Sequence, residues 1–391
     1  MIRVAAPRWR ALRSALVGTL LGALPAAASA RQAEPIVRLG DRLAADVKAD
    51  SVGSIAAAVI VDTTIVWADA FGLADRDRAL AADAQTIYRV GSISKSMTAV
   101  VLMRLVERGT VRLDDPVMKY LPEFTELGGG LPEARTITLR QLASHTGGLV
   151  REPALEGAAA GPIAEWEHKV VASIPTTTLW SAPGTGYSYS NIGYGILGLA
   201  LSRAAGEPFM DLTTRLLFQP LGMTSSTFTI RPPLDRRLSA GYENGRDGSV
   251  DARAPALEQA GRGYKVPNGG VYSTVHDLAR FIALMTGALG DDVLPAAARA
   301  GMLRRQTPGD AGQGYGLGFF VRTDSAGNRL AWHSGSVAGY TAMILFDPDR
   351  RIGAVLLRNY ARGRTNLRAA AETVVREMAA VRDRGTSAPR R

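Results

Sequence analysis

Arg89-Val90-Gly91-Ser92-Ile93-Ser94-Lys95-Ser96-Met97 places a serine at the start of a helix that the apolar pattern carries to about Glu107, with Gly109 closing it. Ser92 and Lys95, three positions apart, then share one helix face. A serine hydroxyl is a poor nucleophile at neutral pH and needs an adjacent base. A partly buried lysine with a lowered pKa can serve as that base. The helix N-terminus adds N–H groups and a positive dipole where negative charge develops. Ser-x-x-Lys alone is common, however, and a helix cap followed by a surface lysine is the better explanation of an isolated match.

Two further stretches change that balance. Pro183-Gly184-Thr185-Gly186-Tyr187-Ser188-Tyr189-Ser190-Asn191 is a Gly-rich loop whose Tyr-x-Asn tripeptide leads into an apolar helix. Tyr189 has the chemistry to relay a proton and Asn191 to hold a substrate amide; alone, both could equally satisfy backbone groups of the loop. Trp332-His333-Ser334-Gly335-Ser336 lies on an expected strand before a Gly-rich turn. A strand edge there can present a backbone N–H to an oxyanion, while the plainer reading of His333 is a structural histidine at a strand end.

Around these stretches the pattern predicts an α+β fold. Ile36, Leu39, Leu43 and Val47 predict an amphipathic helix over 35–50. Runs 55–61 and 65–72 flank the turn Asp62-Thr63-Thr64 as a hairpin would. Near the other end, 316–321, 329–334, 340–346 and 352–358 read as strands, the last two joined by Asp347-Pro348-Asp349-Arg350, and a final helix is expected over about 365–381. Between them, about 92–285 is dominated by helical patterns and Gly/Pro loops. The economical architecture is one antiparallel sheet built from both chain ends, flanked by helices, with a mainly helical lobe inserted.

Ser92-Ile93-Ser94-Lys95, Tyr189-Ser190-Asn191 and His333-Ser334-Gly335, in that order, resemble the three motifs of class C β-lactamases, their DD-peptidase relatives and the related carboxylesterases. Supporting segments are similar too: 139–149 with His145, 217–223, 269–274 with Tyr272, and 315–319, so that the likeness spans roughly residues 40–380. The resemblance implies a β-lactamase/transpeptidase-like fold and an acyl-enzyme mechanism. Ser92 would attack a carbonyl, and Lys95 and Tyr189 would move its proton to the leaving group. The backbone N–H groups of Ser92 and Ser336 would hold the oxyanion. Asn191 would contact a substrate amide or orient Lys95, and Asn191, His333, Gly335 and Ser336 would line the substrate site. His145 and Tyr272 would serve packing.

The first thirty residues carry Arg3, Arg8, Arg10 and Arg13 and no acid, then an apolar run over 15–24, then Ala28-Ser29-Ala30. This is the pattern of a secretory signal peptide cleaved near Ala30; the apolar run is about half of the roughly 20 residues that span a bilayer. A periplasmic or secreted protein with no stable membrane anchor is expected, with residues 31–381 as its hydrolase domain and 382–391 as a basic, flexible tail. A composition 46% hydrophobic and 21% charged excludes the disordered class. The net charge of +10 falls to +6 once the four leader arginines are removed; the rest are scattered among acids, so no nucleic-acid partner is expected. With no cysteine and four histidines outside any His-Glu-x-x-His pattern, neither a metal nor another cofactor is expected. The expected partner is a small-molecule or peptide substrate, with no obligate protein partner.

One departure from the family pattern matters. Class C β-lactamases begin the third motif with lysine, where this chain has His333. Histidine, with a reference pKa near 6.5, is only partly charged at neutral pH. If its cation helped hold a carboxylate, the KM for acidic substrates would rise above about pH 6.5; Arg362 and Arg364, just past the last strand, are alternative cations, although surface arginines are the plainer reading of both. Two other classes compete with this reading. A non-catalytic, ligand-sensing relative requires a broken triad, and Ser92, Lys95 and Tyr189 are all present. An α/β-hydrolase esterase requires a Gly-x-Ser-x-Gly elbow, which the sequence lacks.

Overall fold

Strand β1 (Ser54–Val61) decides the layering: Ala56, Ala58 and Ile60 enter one buried cluster, and Ile55, Ala57 and Val59 enter another. Successive strand residues point to opposite faces. A strand apolar at every position from Ile55 to Val61 therefore has both faces covered, which calls for helices on both sides of its sheet.

The computed structural model, which describes residues 26–245, 247–308, 313–325 and 327–386, has that arrangement. β1 continues through a two-residue turn at Asp62-Thr63 into β2 (Thr64–Asp75) and the short β3 (Leu80–Ala81). The other strands of the sheet come from the C-terminal third: β8 (Gln313–Tyr315), β9 (Phe320–Thr323), β10 (Arg329–Val337), β11 (Tyr340–Asp347) and β12 (Ile352–Arg358). Their order is β3-β2-β1-β12-β11-β10-β9-β8, antiparallel throughout. β1 joins the two chain ends through the register Ile55↔Arg358 to Val61↔Ile352. The β11–β12 turn is closed by Asp347, whose Oδ1 accepts from the N–H groups of Asp349 and Arg350, both at 2.9 Å.

The outer face is covered by α1 (Ala26–Asp50) and the last helix, Leu367–Thr386. Between β3 and β8 the chain forms α2 (Ile93–Glu107), α3 (Leu139–Ala143), α4 (Trp166–Ser173), α5 (Asn191–Ala205), α6 (Phe209–Thr213), α7 (Arg253–Ala260), α8 (Val266–Gly269), α9 (Val275–Met285) and α10 (Ala296–Leu303). Two-residue ladders β4 (Tyr88–Arg89) with β7 (Tyr272–Ser273), and β5 (Glu243–Asn244) with β6 (Val250–Asp251), tie this region together. α2 is buried on nearly every side, with Val100, Val101 and Leu102 fully enclosed. Burying each such side chain is worth about 1.5–3 kcal/mol, so α2 is fixed by packing around its whole circumference.

Three expectations need correction. The single strand over 316–321 is instead two, β8 and β9, separated by a turn in which the Gly316 N–H bonds to Phe319 O. Gly318, at φ +77°, donates its N–H to Ala143 O and accepts from the Ser96 hydroxyl, so the turn is bound to α2 and α3 and cannot stay in the sheet. α1 begins at Ala26, earlier than 35, so the cleavage point expected near Ala30 lies within a helix; the leader residues before Ala26 lie outside the described residues. The final helix runs past 381 to Thr386, because Arg382 pairs with Asp62 at 3.2 Å and Asp383 with Arg350 at 2.9 Å. Of the tail expected over 382–391, residues 387–391 lie outside the described residues.

Candidate functional site

The backbone sets Ser92 against the sheet edge. β9 pairs only with Arg329–Trp332 of β10, leaving the next residues of β10 to face Val90–Ser92. Contact this close requires two glycines. Gly91 has φ +52°, and a β-carbon on it would lie 2.8 Å from the Ser336 nitrogen; a β-carbon on Gly335 would collide with the Val90 carbonyl oxygen. Gly335 is thus a spacer that lets two backbones meet. Gly335→Ala is expected to cost about 1–3 kcal/mol by overpacking and to lower kcat by separating Ser92 from Ser336. Urea unfolding together with kinetics checks this; wild-type values for both would contradict it.

Ser92 is the N-cap of α2, but its hydroxyl makes no cap bond. It lies 3.0 Å from Lys95 Nζ, which also donates to Asn191 Oδ1 at 2.8 Å and to the Asn268 carbonyl at 3.1 Å. The Lys95 side chain is fully buried, and burial, followed by the positive charge of Arg151, holds its pKa well below the ordinary lysine value. Three oxygens, those of Ser92, Asn191 and Asn268, thus surround Nζ, and once the amine gives up a proton its lone pair can turn to the Ser92 hydroxyl, which unlike the two carbonyl oxygens can also donate.

Asn191 has both ends of its amide committed, since Nδ2 donates to Glu152 Oε1 at 2.6 Å while Oδ1 receives Lys95. Of its two expected roles, this arrangement provides the orientation of Lys95. Glu152 also receives the Tyr264 hydroxyl, and the Asn268 side chain donates to Asn191 O at 2.8 Å. Glu152, Asn268 and Tyr264 were not singled out from the sequence, although Glu152 lies three residues past the 139–149 segment. Because the Glu152 charge raises the Lys95 pKa, Glu152→Gln is expected to shift the acid limb of kcat/KM to lower pH. A pH–rate profile with an unmoved or raised limb would argue against that coupling.

The Tyr189 ring lies 4.8 Å from Lys95 Nζ and 4.2 Å from the His145 ring. Burial pushes its phenol up to about 12, against a hydrogen bond with Ser92 that lowers it, so Tyr189 carries its proton at neutral pH. His145 is buried among Tyr189, Tyr194 and Tyr315, and its Nδ1 accepts from Ser190 N–H at 3.0 Å. Tyr272 is likewise buried, under the Arg262 guanidinium.

His333 does not provide the cation considered above. It is 1% exposed, with Nδ1 2.7 Å from Ser334 O and Nε2 2.9 Å from the Tyr315 hydroxyl. A carbonyl can only accept, so Nδ1 carries the proton and Nε2 accepts from Tyr315. Burial, then the nearby Lys95, pushes its pKa down to about 3, so His333 stays neutral and cannot make KM change above pH 6.5. Neither Arg362 nor Arg364 is among the residues lining the cavity beside Ser92; their backbone N–H groups are held by Asn244 and Asp50.

Ser92, Asn191 and Ser336 line a cavity of about 130 Å³, together with Arg151, Lys265 and Glu258. Among the described residues, no group of three or more His, Cys, Asp or Glu side chains is placed to hold a metal ion.

The fold and cleft define an α+β protein in which a helix-start serine, a buried lysine and a sheet edge meet. The chain belongs to the Beta-lactamase family, whose model matches residues 39–376. It is 30% identical over 291 residues to the D-alanyl-D-alanine-carboxypeptidase/endopeptidase AmpH of Escherichia coli (strain K12), covering 70% of each chain. It is 27% identical over 330 residues to Beta-lactamase-like protein 4 of Dictyostelium discoideum, covering 78% of this chain and 56% of that one. Among solved structures, the octameric penicillin-binding protein homologue from Pyrococcus abyssi matches with TM-score 0.70 and 25% identity, over 83% of this chain and 73% of that one.

Proposed function

We propose that this protein is an exported serine hydrolase that cleaves an amide or ester bond through an acyl-enzyme on Ser92. The observation that carries this is the Ser92 hydroxyl, 3.0 Å from a buried lysine whose proton affinity its surroundings lower. Lys95 Nζ takes the hydroxyl proton as Oγ attacks the carbonyl carbon, and the oxyanion forms against the N–H groups of Ser92 and Ser336. Tyr189, protonated at neutral pH, passes a proton to the leaving group and is recharged from Lys95. Water then attacks the ester at Ser92, and the proton it gives up restores the serine.

The family and the AmpH relative support D-alanyl-D-alanine peptides, β-lactams and small esters as the substrate class. The leader pattern over 1–30 supports export, and no described helix is long and apolar enough to cross a membrane. The test is to incubate the purified protein with a fluorescent penicillin, an activated short-chain ester and a D-alanyl-D-alanine peptide, following turnover and intact mass. Turnover or a covalent adduct with one of them supports the reading and selects the substrate. Neither, with all three, counts against it.

A further inference from the structure

We propose that Glu258, on α7, is a positioning residue that fixes the spacing between the two halves of the oxyanion site. The proposal rests on the reading of Ser92 above, in which the oxyanion forms against the N–H groups of Ser92 and Ser336, and adds the residue that holds those two groups in register. They come from separate stretches of chain: Ser92 follows β4, and Ser336 lies near the end of β10. Arg89 stands three residues before Ser92. Ala338 stands two residues after Ser336, in the turn Ala338-Gly339 that joins β10 to β11.

The Glu258 carboxylate spans these two stretches. Oε1 receives Arg89 Nη2 at 3.1 Å and Oε2 receives the Ala338 N–H at 2.9 Å, both charge-assisted bonds. Arg89 is 2% exposed and ion-paired to Glu258, while its Nε and Nη1 are buried without a hydrogen-bond partner among the described residues. A buried guanidinium that loses its carboxylate is strongly destabilised where it stands. Without Glu258, the Arg89 end of β4 is therefore drawn toward other acceptors, and Ser92 moves with it. The neighbouring Gly339 N–H is held by Glu243 Oε1 at 2.7 Å, so the turn stays attached there while its Ala338 side, nearer Ser336, is released.

α7 is seated so as to carry this residue. It buries Pro255, and a β-carbon on Gly339 would lie 2.6 Å from the Pro255 Cγ, so the helix rests directly on the turn. Pro255 and Glu258, three positions apart, share one helix face. Leu257, between them, is 65% exposed. Glu258 also lines the cavity beside Ser92, but both its oxygens already accept from the protein, so it acts through Ser92 and Ser336.

The test measures Glu258→Ala, Glu258→Gln and Leu257→Ala on neutral p-nitrophenyl butyrate. Glu258→Ala keeps both oxyanion donors but unlocks their spacing, so kcat is expected to fall about tenfold to a hundredfold. Acylation and deacylation each pass through an oxyanion, so both slow together and KM should stay within about twofold. Phenylboronic acid supplies a second readout. It takes the Ser92 Oγ onto boron, with the hydroxyl proton passing to Lys95, and the tetrahedral anion so formed mimics the transition state; its Ki should rise by the same factor as kcat falls. Glu258→Gln keeps one acceptor oxygen, for Arg89 or for Ala338 but not both, and should lie between; it carries the same comparison if urea unfolding shows the alanine variant poorly folded. Leu257→Ala should keep the wild-type kcat and Ki. Wild-type kcat in both Glu258 variants, a loss carried by KM alone, an unchanged Ki, or an equal loss in Leu257→Ala overturns the proposal. Failure of the Ser92 reading shows separately, as equal turnover and equal boronate binding by wild type and Ser92→Ala.

Discussion

Ser92→Ala is expected to lower turnover by roughly 10⁴-fold or more and to abolish the covalent adduct, because it removes the hydroxyl that takes the acyl group in the proposed reaction. The fold should survive. The hydroxyl makes no cap bond to α2, and Lys95 keeps Asn191 and Asn268 as acceptors when it is removed. Stability should therefore change by no more than about 1 kcal/mol, the usual net worth of one hydrogen bond. Intact mass after exposure to the preferred substrate, beside urea unfolding of both proteins, separates chemistry from folding. An adduct that persists in Ser92→Ala would place the nucleophile elsewhere.

Lys95→Met is expected to lower kcat by about 10²–10⁴-fold, the ordinary contribution of a positioned base. It also has a signature in pH. The folded-state pKa of Lys95 lies well below its ordinary value of 10.5, so the folded protein binds fewer protons than the unfolded chain between those values. Lys95 therefore makes the wild type more stable as pH rises through that window and less stable as pH falls. Lys95→Met lacks that slope, at the cost of leaving Asn191 Oδ1 and Asn268 O without their donor. Unfolding free energies measured across the alkaline range should rise more steeply for the wild type. Parallel curves would mean that Lys95 titrates normally, and the base would have to be sought elsewhere.

The strands were legible where local pattern was enough. β1, β11 and β12 are apolar at nearly every position and end in turns written with Asp62 and with Asp347-Pro348, and they appear close to their expected bounds. Gly316–Phe319 was not legible, because an apolar, β-rich run there is folded back by bonds to Ser96 and Ala143 on distant helices.

In the cleft, the sequence by itself determined the residue types and their order: a serine and lysine one helical turn apart, a tyrosine and asparagine opening a second helix, and a glycine on a strand. Helical and strand periodicities are local, so spacing sufficed to place Ser92 beside Lys95. Only the tertiary structure decided what the partners do. Asn191 meets Lys95 across 96 positions and Glu152 across 39, and the Asn268 carbonyl reaches Lys95 across 173. Burial makes His333 neutral, while α7 and α8 with the loop between them, and the segment after α3, bring Arg262, Lys265 and Arg151 to the cavity. Desolvation and Coulomb forces act through space, so the charge state of each group belongs to its surroundings, and chain spacing alone carries no record of them.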